Sequence, residues 1–417
     1  MIMTEDNPFK LNPDQTEEIN IDNNLFRFKS HADCSALLKL SISSKNIRSW
    51  FREPFLTVKA PDNNQRTQYL PPRYKGSVYV DLSWIANSEP ETFSIEIKGA
   101  VFENKAQLMY FSQNDPVELG NTLIIAPHPD DGELCCTSFY GPNSYLVTLS
   151  AGEKVKELKK QYFTMMDQDI EQASLRKGHL RAFNSVTTGM LGDIPAEHMI
   201  NLGYFDATFS DMRKFQDKVI KSNHNHQVNE FRKFNPKNSP FTLIKEPVNQ
   251  YKDLLADLTT VIQTVNPARI IVTNPNADTH QDHAAAGEII LELLDQIPNN
   301  VRKVYLYSIH IKREKPIYFG PALNHIGMPF VPSVKTDKNN TFSYRSFELS
   351  EEQQKRKTIM LNLMYDTYKE KDHRFQKCAT HEYINSARLG KAYYIQRFIK
   401  QNEIFLVINR SKKVNDP

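Results

Sequence analysis

Cysteine is scarce in this sequence. Cys34, Cys135, Cys136 and Cys378 are the only four among 417 residues, and no two stand as a Cys-x-x-Cys pair. That excludes a disulfide framework and a cysteine-rich metal site, and the adjacent Cys135 and Cys136 read as small core residues. Charge of one sign is lacking too. Lys and Arg total 52 against 49 Asp and Glu, a net charge of +3, so bulk charge selects no nucleic-acid partner. No apolar run reaches the ~18 residues of a membrane span, and the opening MIMTEDNPFKLNPDQTEEIN has neither the basic nor the apolar region of an export signal. The expectation is a cytoplasmic protein without a transmembrane segment. No Gly-x-Gly-x-x-Gly follows the apolar run NTLIIAP, which argues against a nucleotide-binding dehydrogenase.

What is present divides the chain at about 117. Residues 1–24 are polar and acid-rich and read as a loosely ordered arm. Residues 25–117 carry the alternating runs LLKLSISS, PFLTVKA, GSVYVDLSWI, TFSIEIKGAVF and AQLMYFS, separated by Pro, Asn, Asp and Gly, and predict a small β-rich, sandwich-like accessory domain without catalytic residues. From 118 to 417 the texture changes. NTLIIAP, SYLVTLS, RIIVTNP, VYLYSIH and EIFLVIN are short apolar runs suited to strands buried on both faces. Helical stretches at Gln161–Ser185 and Tyr251–Val265 lie between some of them, and Ser350 with Gln353 makes a capping box before a helix over 351–368. The fold class is α/β, a mostly parallel, doubly wound sheet flanked by helices. Residues 207–248 read as a polar excursion from it.

Two stretches carry chemistry. Ala126-Pro-His128-Pro-Asp130-Asp131-Gly-Glu133 follows one apolar strand, and Thr279-His280-Gln-Asp282-His283 follows another and precedes a helix. Loops leaving the carboxyl ends of parallel strands gather in one crevice, so the two should face each other. His128 and Asp131 on one loop and His283 on the other supply the three ligands of a catalytic zinc site, one Zn2+ per chain. Asp130 is left over as general base toward an attacking water. His280 is placed to act as an acid or to stabilise an oxyanion, with Asp282 orienting it and favouring its charged form. Alone, His-Pro-Asp-Asp would be an ordinary turn with a capping Asp, and His-x-Asp-His a capped helix with a surface histidine. Together at strand exits of one sheet they read as a site. His224 and His226 read as solvated, and His310 as either pocket lining or a core histidine.

These two motifs resemble those of the PIG-L/LmbE-like de-N-acetylases, and the resemblance runs from about 118 to the C-terminus. It implies a Rossmann-like fold and zinc-dependent removal of acetyl groups from N-acetylglucosamine-type sugars. It also implies His128, Asp131 and His283 as ligands, Asp130 as base and His280 as the stabilising acid. LVTLSAGE at 146–153 is similar to the family's second strand and Gly-Glu turn. Arg176-Lys-Gly-His179 is similar to its Arg-x-x-Glu helix, which implies Arg176 as a substrate-binding residue while His179 departs from the family's acid. The N-terminal extension makes the chain most similar to members acting on lipopolysaccharide or lipooligosaccharide cores. A glycolipid acceptor would bring the enzyme to the inner membrane face, where Lys154, Lys156, Lys159, Lys160, Arg232 and Lys233 could meet phosphates. The competing readings are a zinc amidase acting on another sugar-linked amide, and a carbohydrate-binding protein with a remnant site.

Overall fold

The computed structural model describes residues 11–31, 33–44, 53–70, 74–87, 89–112, 120–156, 167–222, 224–310, 320–328, 342–364 and 397–410. They fall into two compact units. One draws on Met1–Pro116, His310–Gln354 and Glu370–Asn409, the other on Val117–Ile309, Lys355–Lys369 and Arg410–Pro417.

The first unit begins with eight strands: β1 (Gln15–Asn20), β2 (Leu25–Phe28), β3 (Cys34–Ser43), β4 (Phe55–Lys59), β5 (Gln65–Tyr69), β6 (Lys75–Asp81), β7 (Glu91–Lys98) and β8 (Val101–Ser112). They form two antiparallel four-stranded sheets in the orders β1-β8-β3-β6 and β2-β7-β4-β5. Alternate side chains of both, such as Leu38 and Leu40 from one and Val58, Phe93 and Ile95 from the other, share one buried core, because successive residues of a strand point to opposite faces. One expectation is corrected here. Residues 15–20 are not part of a loose arm but an edge strand, paired from Gln15 with Tyr110 to Asn20 with Lys105. Its side chains are almost all exposed, so its sequence resembles a solvated tail, and backbone pairing to β8, with Ile19 against the core, orders it.

The second unit holds β9 (Thr122–Ala126), β10 (Ser144–Ser150), β11 (Met199–Tyr204), β12 (Arg269–Thr273) and β13 (Lys303–Tyr307). All five are parallel, in the order β11-β10-β9-β12-β13. Every residue of β9 and β11 is buried, the two-sided burial that the apolar run NTLIIAP predicts. Its helices are α1 (Asp131–Cys135), α2 (Ile170–Ser185), α3 (Phe209–Lys214), α4 (Asn229–Arg232), α5 (Tyr251–Val265) and α6 (Gln281–Gln296). Asp169 caps α2 by accepting from Gln172 N at 2.8 Å, which sets its start nine residues later than the helical pattern suggested; residues 157–166 lie outside the described set. The polar stretch 207–248 is also corrected. It packs onto the unit through buried Phe209, Met212, Val228 and Phe231, and Arg232 is buried against Asp257 at 2.5 Å. The strand order reverses between β9 and β12, so the loops leaving these two neighbours open on one crevice at the switch point.

From His310, the described residues up to Gln354, and those of 397–409, group with the β-rich unit, which differs from the expectation of one continuous domain over 118–417. They include β14 (Ser343–Glu348) and β15 (Asn402–Asn409), an antiparallel pair. Between them, α7 (Glu351–Leu363) opens on the expected capping box. Gln353 N donates to Ser350 Oγ at 3.2 Å, and Ser350 N donates to Gln353 Oε1 at 2.9 Å. No helix among the described residues is long and apolar enough to cross a membrane.

Candidate metal centre and active site

The β9 strand delivers Pro127-His128-Pro129-Asp130 straight into the first turn of α1. Asp130 sits at φ 107°, ψ −28°, a left-handed conformation that is strained for any residue with a Cβ and is held only where the surroundings impose it. The Asp131 side chain folds back, its Oδ2 accepting from His128 N at 2.8 Å. From the neighbouring strand β12, the second loop runs through Asp278 to His280 at the head of α6, and places Asp282 and His283 in the first helical turn.

The two loops meet as expected. His128 Nδ1 and His283 Nε2 are 3.0 Å apart, and Asp131 Oδ2 lies 3.3 Å from the first and 3.2 Å from the second. A tetrahedral ion about 2.0–2.2 Å from nitrogen and oxygen ligands requires much this spacing between its donors. The outer nitrogens of both rings are already engaged. His283 Nδ1 donates to Asp278 Oδ2 at 3.0 Å, while His128 Nε2 faces Asp282 Oδ2 and Asp206 Oδ1, each at 3.3 Å. Carboxylates on the outer nitrogens take the ring protons and turn both lone pairs inward, the arrangement that prepares histidines for a metal. His128, Asp131 and His283 could therefore hold a metal ion.

Electrostatics favours positive charge at the same point. Burial pulls the His283 imidazole down, but the Asp131 and Asp278 carboxylates outweigh it and leave it pushed up to about 10. Burial opposes charge on His128 as well, yet hydrogen bonds to Asp131, Asp206 and Asp282 hold its value well above the usual range. Asp131 is held low, against burial, by His283 and His128. A bound cation would displace the shared protons.

Around this centre the remaining residues take up distinct places. Asp130 is partly accessible, and Arg181 Nη2 lies 3.4 Å from its Oδ1 while donating to Pro129 O at 2.6 Å. Gly152 makes that approach possible: at φ 62° its missing Cβ would stand 2.3 Å from Arg181 Nε. The His280 ring stands 4.9 Å from that of His128 and 4.7 Å from that of His283, centre to centre. Burial and these two imidazoles lower its pKa, outweighing Asp282 and Asp131. Asp282 does favour the charged form of His280, as expected, but burial and the two imidazoles prevail over it. Asp282 instead faces His128 and accepts from Ala207 N at 2.6 Å and Phe209 N at 3.2 Å.

Arg176, expected as a substrate-binding residue, is engaged by a neighbouring carboxylate. Its guanidinium chelates the Asp167 carboxylate, with Nε 2.8 Å from Oδ1, and the arginine of α2 that reaches the loop is Arg181, five residues on. His179 lies edge-on to Phe231 and Phe234. His226 is buried rather than solvated, its Nε2 3.1 Å from Ser174 Oγ. His224 is part-buried, with Nε2 3.2 Å from Val155 O. His310 is part-buried, and Cys135 and Cys136 are core residues. Of the basic clusters, Arg232 is consumed by Asp257, and Lys159 and Lys160 lie outside the described residues.

Sequence reasoning missed Asp206, Asp278, Arg181 and Glu153. Asp206 leaves the end of β11, whose six residues MINLGY include Asn and Gly and show no long apolar run. Recognising that strand would have placed Asp206 in the same crevice. Asp278 stands five residues before His283 and could have been read from that loop. Glu153 is buried, with its two carboxylate oxygens 3.2 and 3.1 Å from Asp206 N.

Residues 123–294, which contain all of these groups, match the family model described as PIG-L, GlcNAc-PI de-N-acetylase. These residues form a PIG-L family domain. The match supports a de-N-acetylase or related hydrolase, and the PIG-L domain includes both motif loops, β9 from its second residue, β10 to β12, and all but the last two residues of α6. No curated protein matches this sequence. Among solved structures, the chain is similar to a conserved protein of Thermus thermophilus, with 14% identity, 66% of this chain and 92% of that one covered, and a TM-score of 0.29. It is also similar to GalB, the 4-carboxy-2-hydroxymuconate hydratase of Pseudomonas putida, with 10% identity, coverages of 71% and 99%, and a TM-score of 0.33. At such scores neither likeness carries any argument about the PIG-L domain.

Proposed function

We propose that this chain is a zinc-dependent hydrolase that removes the N-acetyl group from an N-acetylglucosamine-type amino sugar. The sugar is carried on a cell-surface glycolipid or its precursor, of the lipooligosaccharide-core kind, and is met at the cytoplasmic face of the membrane. The observation that carries the reading is the convergence of His128 Nδ1, His283 Nε2 and Asp131 Oδ2 within 3.3 Å of one another, with Asp130 held beside them on a strained backbone. Two imidazoles and one carboxylate with a position left open suit zinc.

When bound, zinc would polarise the acetyl carbonyl and lower the pKa of a water to roughly 7. Asp130 takes the proton of the attacking water, and the Arg181 guanidinium 3.4 Å from its Oδ1 holds it in place. His280, neutral at rest, donates an N–H hydrogen bond to the oxygen on which negative charge develops. Asp130 then returns its proton to the sugar nitrogen as the C–N bond breaks, which leaves acetic acid and a free amine, and the acid loses its proton to solvent on release. Asp278 holds His283, and Asp206 and Asp282 hold His128, in the required tautomers.

The test incubates the zinc-loaded full chain with N-acetylglucosamine-bearing glycolipids and measures acetate. Mass spectrometry of glycolipids from cells with and without the protein then names the acceptor by the loss of one acetyl group. Zinc uptake without acetate release from any N-acetyl amino sugar, and without an acetyl difference in the cells, would leave a remnant binding site as the reading.

A further inference from the structure

The β-rich unit contains a second histidine–carboxylate cluster that the PIG-L domain does not use. Asp81 ends β6, His325 lies in the segment 320–328, and Glu348 ends β14; one potential ligand atom from each lies within 4.8 Å of the others. His325 and Asp81 are almost wholly buried, at 1% exposure each. His325 Nε2 is 2.7 Å from Asp81 Oδ2. That carboxylate is saturated with donors, since Ser346 Oγ and Asn402 Nδ2 also reach Oδ2, at 3.0 and 3.4 Å, and Ser83 Oγ and N reach Oδ1, at 2.5 and 3.2 Å. A carboxylate only accepts, so the proton of the imidazole belongs on Nε2, and Nδ1 presents a lone pair.

That lone pair has no hydrogen-bond partner. Nδ1 is buried and faces Glu348 Oε1 at 3.3 Å, so two acceptors point at each other. Gln68, which pairs with His325 in an isolated parallel bridge, buries its Oε1 without a donor as well, while its Nε2 donates to Tyr79 O at 3.0 Å. A buried surplus of acceptors is costly unless a proton or a cation supplies the missing positive charge. The other Glu348 oxygen is turned to Arg66 Nη2 at 3.2 Å, which orients the carboxylate toward His325.

We propose that His325 Nδ1 and Glu348 bind a divalent transition-metal ion of the zinc type, with Asp81 as the carboxylate that fixes the ring. One imidazole with carboxylate oxygen suits such an ion, and a carboxylate on the outer nitrogen is the usual support of a metal-binding histidine. The ion is structural. It ties together three segments distant in sequence, which contain positions 81, 325 and 348, and so adds its binding free energy to the folding of the unit. The expectation of one ion per chain rested on motif spacing alone, and these three residues share no motif.

The test uses the full chain carrying His283→Ala, which removes a ligand of the PIG-L centre. It is stripped with chelator, titrated with zinc and measured for bound zinc and for melting temperature. One equivalent of zinc, with a rise in melting temperature, is expected, and both should disappear in His283→Ala/Glu348→Gln. Glu348 is partly exposed, and the melt of the stripped double variant checks that it folds. X-ray absorption of the zinc-loaded single variant should show one imidazole with oxygen neighbours. No zinc in the single variant overturns the proposal, because a proton then closes the gap. Zinc retained undiminished in the double variant overturns it equally, because the ion is then held elsewhere.

Discussion

Asp278 Oδ2 lies 3.0 Å from His283 Nδ1 and accepts from Ile309 N at 2.8 Å. This carboxylate decides which nitrogen of His283 faces His128 and Asp131. Partners of this kind typically contribute tenfold to hundredfold in metal affinity. Asp278→Asn should therefore weaken zinc binding by about that factor while leaving all three ligands in place. Competition with a chromophoric chelator measures it, and unchanged affinity would remove Asp278 from the centre.

The two neighbouring aspartates should separate cleanly. Asp131→Ala removes a donor and should lose turnover together with the zinc held by His128, Asp131 and His283, as should His283→Ala. Asp130→Asn keeps every donor and loses only the proton acceptor, so near-stoichiometric zinc should accompany a kcat lowered by at least about a hundredfold. His280→Ala should resemble Asp130→Asn, through loss of transition-state stabilisation. Zinc lost from the centre between the two loops in Asp130→Asn and kept there in Asp131→Ala would reverse the assignment of ligand and base.

The arginines of α2 give a third contrast. Arg181→Met takes away the guanidinium beside Asp130 and should lower kcat by about tenfold or more, since charged hydrogen bonds contribute about 1.5–3 kcal/mol. Arg176→Met breaks the pair with Asp167 and should cost stability with kcat nearly intact. Steady-state kinetics and thermal melts of both variants decide between them. Equal losses of kcat would return Arg176 to the site.

Burial, then the nearby Asp206 charge, push Glu153 up to about 8. A carboxyl whose folded pKa is raised holds its proton more tightly folded than unfolded. Its stabilisation is thus complete below the ordinary carboxyl range and is lost as pH rises toward about 8. Glu153→Gln, which cannot ionise, should melt several degrees above the unchanged protein in mildly alkaline buffer, by less in mildly acid buffer, and close to it only below the ordinary carboxyl range. A melting difference that stays constant across that range would show that Glu153 does not titrate there.

Much of the site was legible in the sequence, because its decisive residues are local. His-Pro-Asp-Asp and His-x-Asp-His are short, each follows an apolar strand, and parallel-sheet topology alone predicts that they meet. The same holds for β9, β10 and β12, whose two-sided burial writes an apolar run into the chain, and for the Ser350–Gln353 cap, whose partners are three residues apart. What the tertiary structure alone decided depends on partners far away in sequence or on backbone pairing. β1 is ordered by hydrogen bonds to β8 that its polar letters do not reveal. Arg181 rather than Arg176 reaches the loop because Gly152, on another segment, leaves the space. Asp282 turns to His128 because the amides of Ala207 and Phe209 anchor it there, and His325 meets Asp81 across 244 positions. A motif can specify which groups do chemistry, but the orientation of each group is set by whatever the fold packs against it.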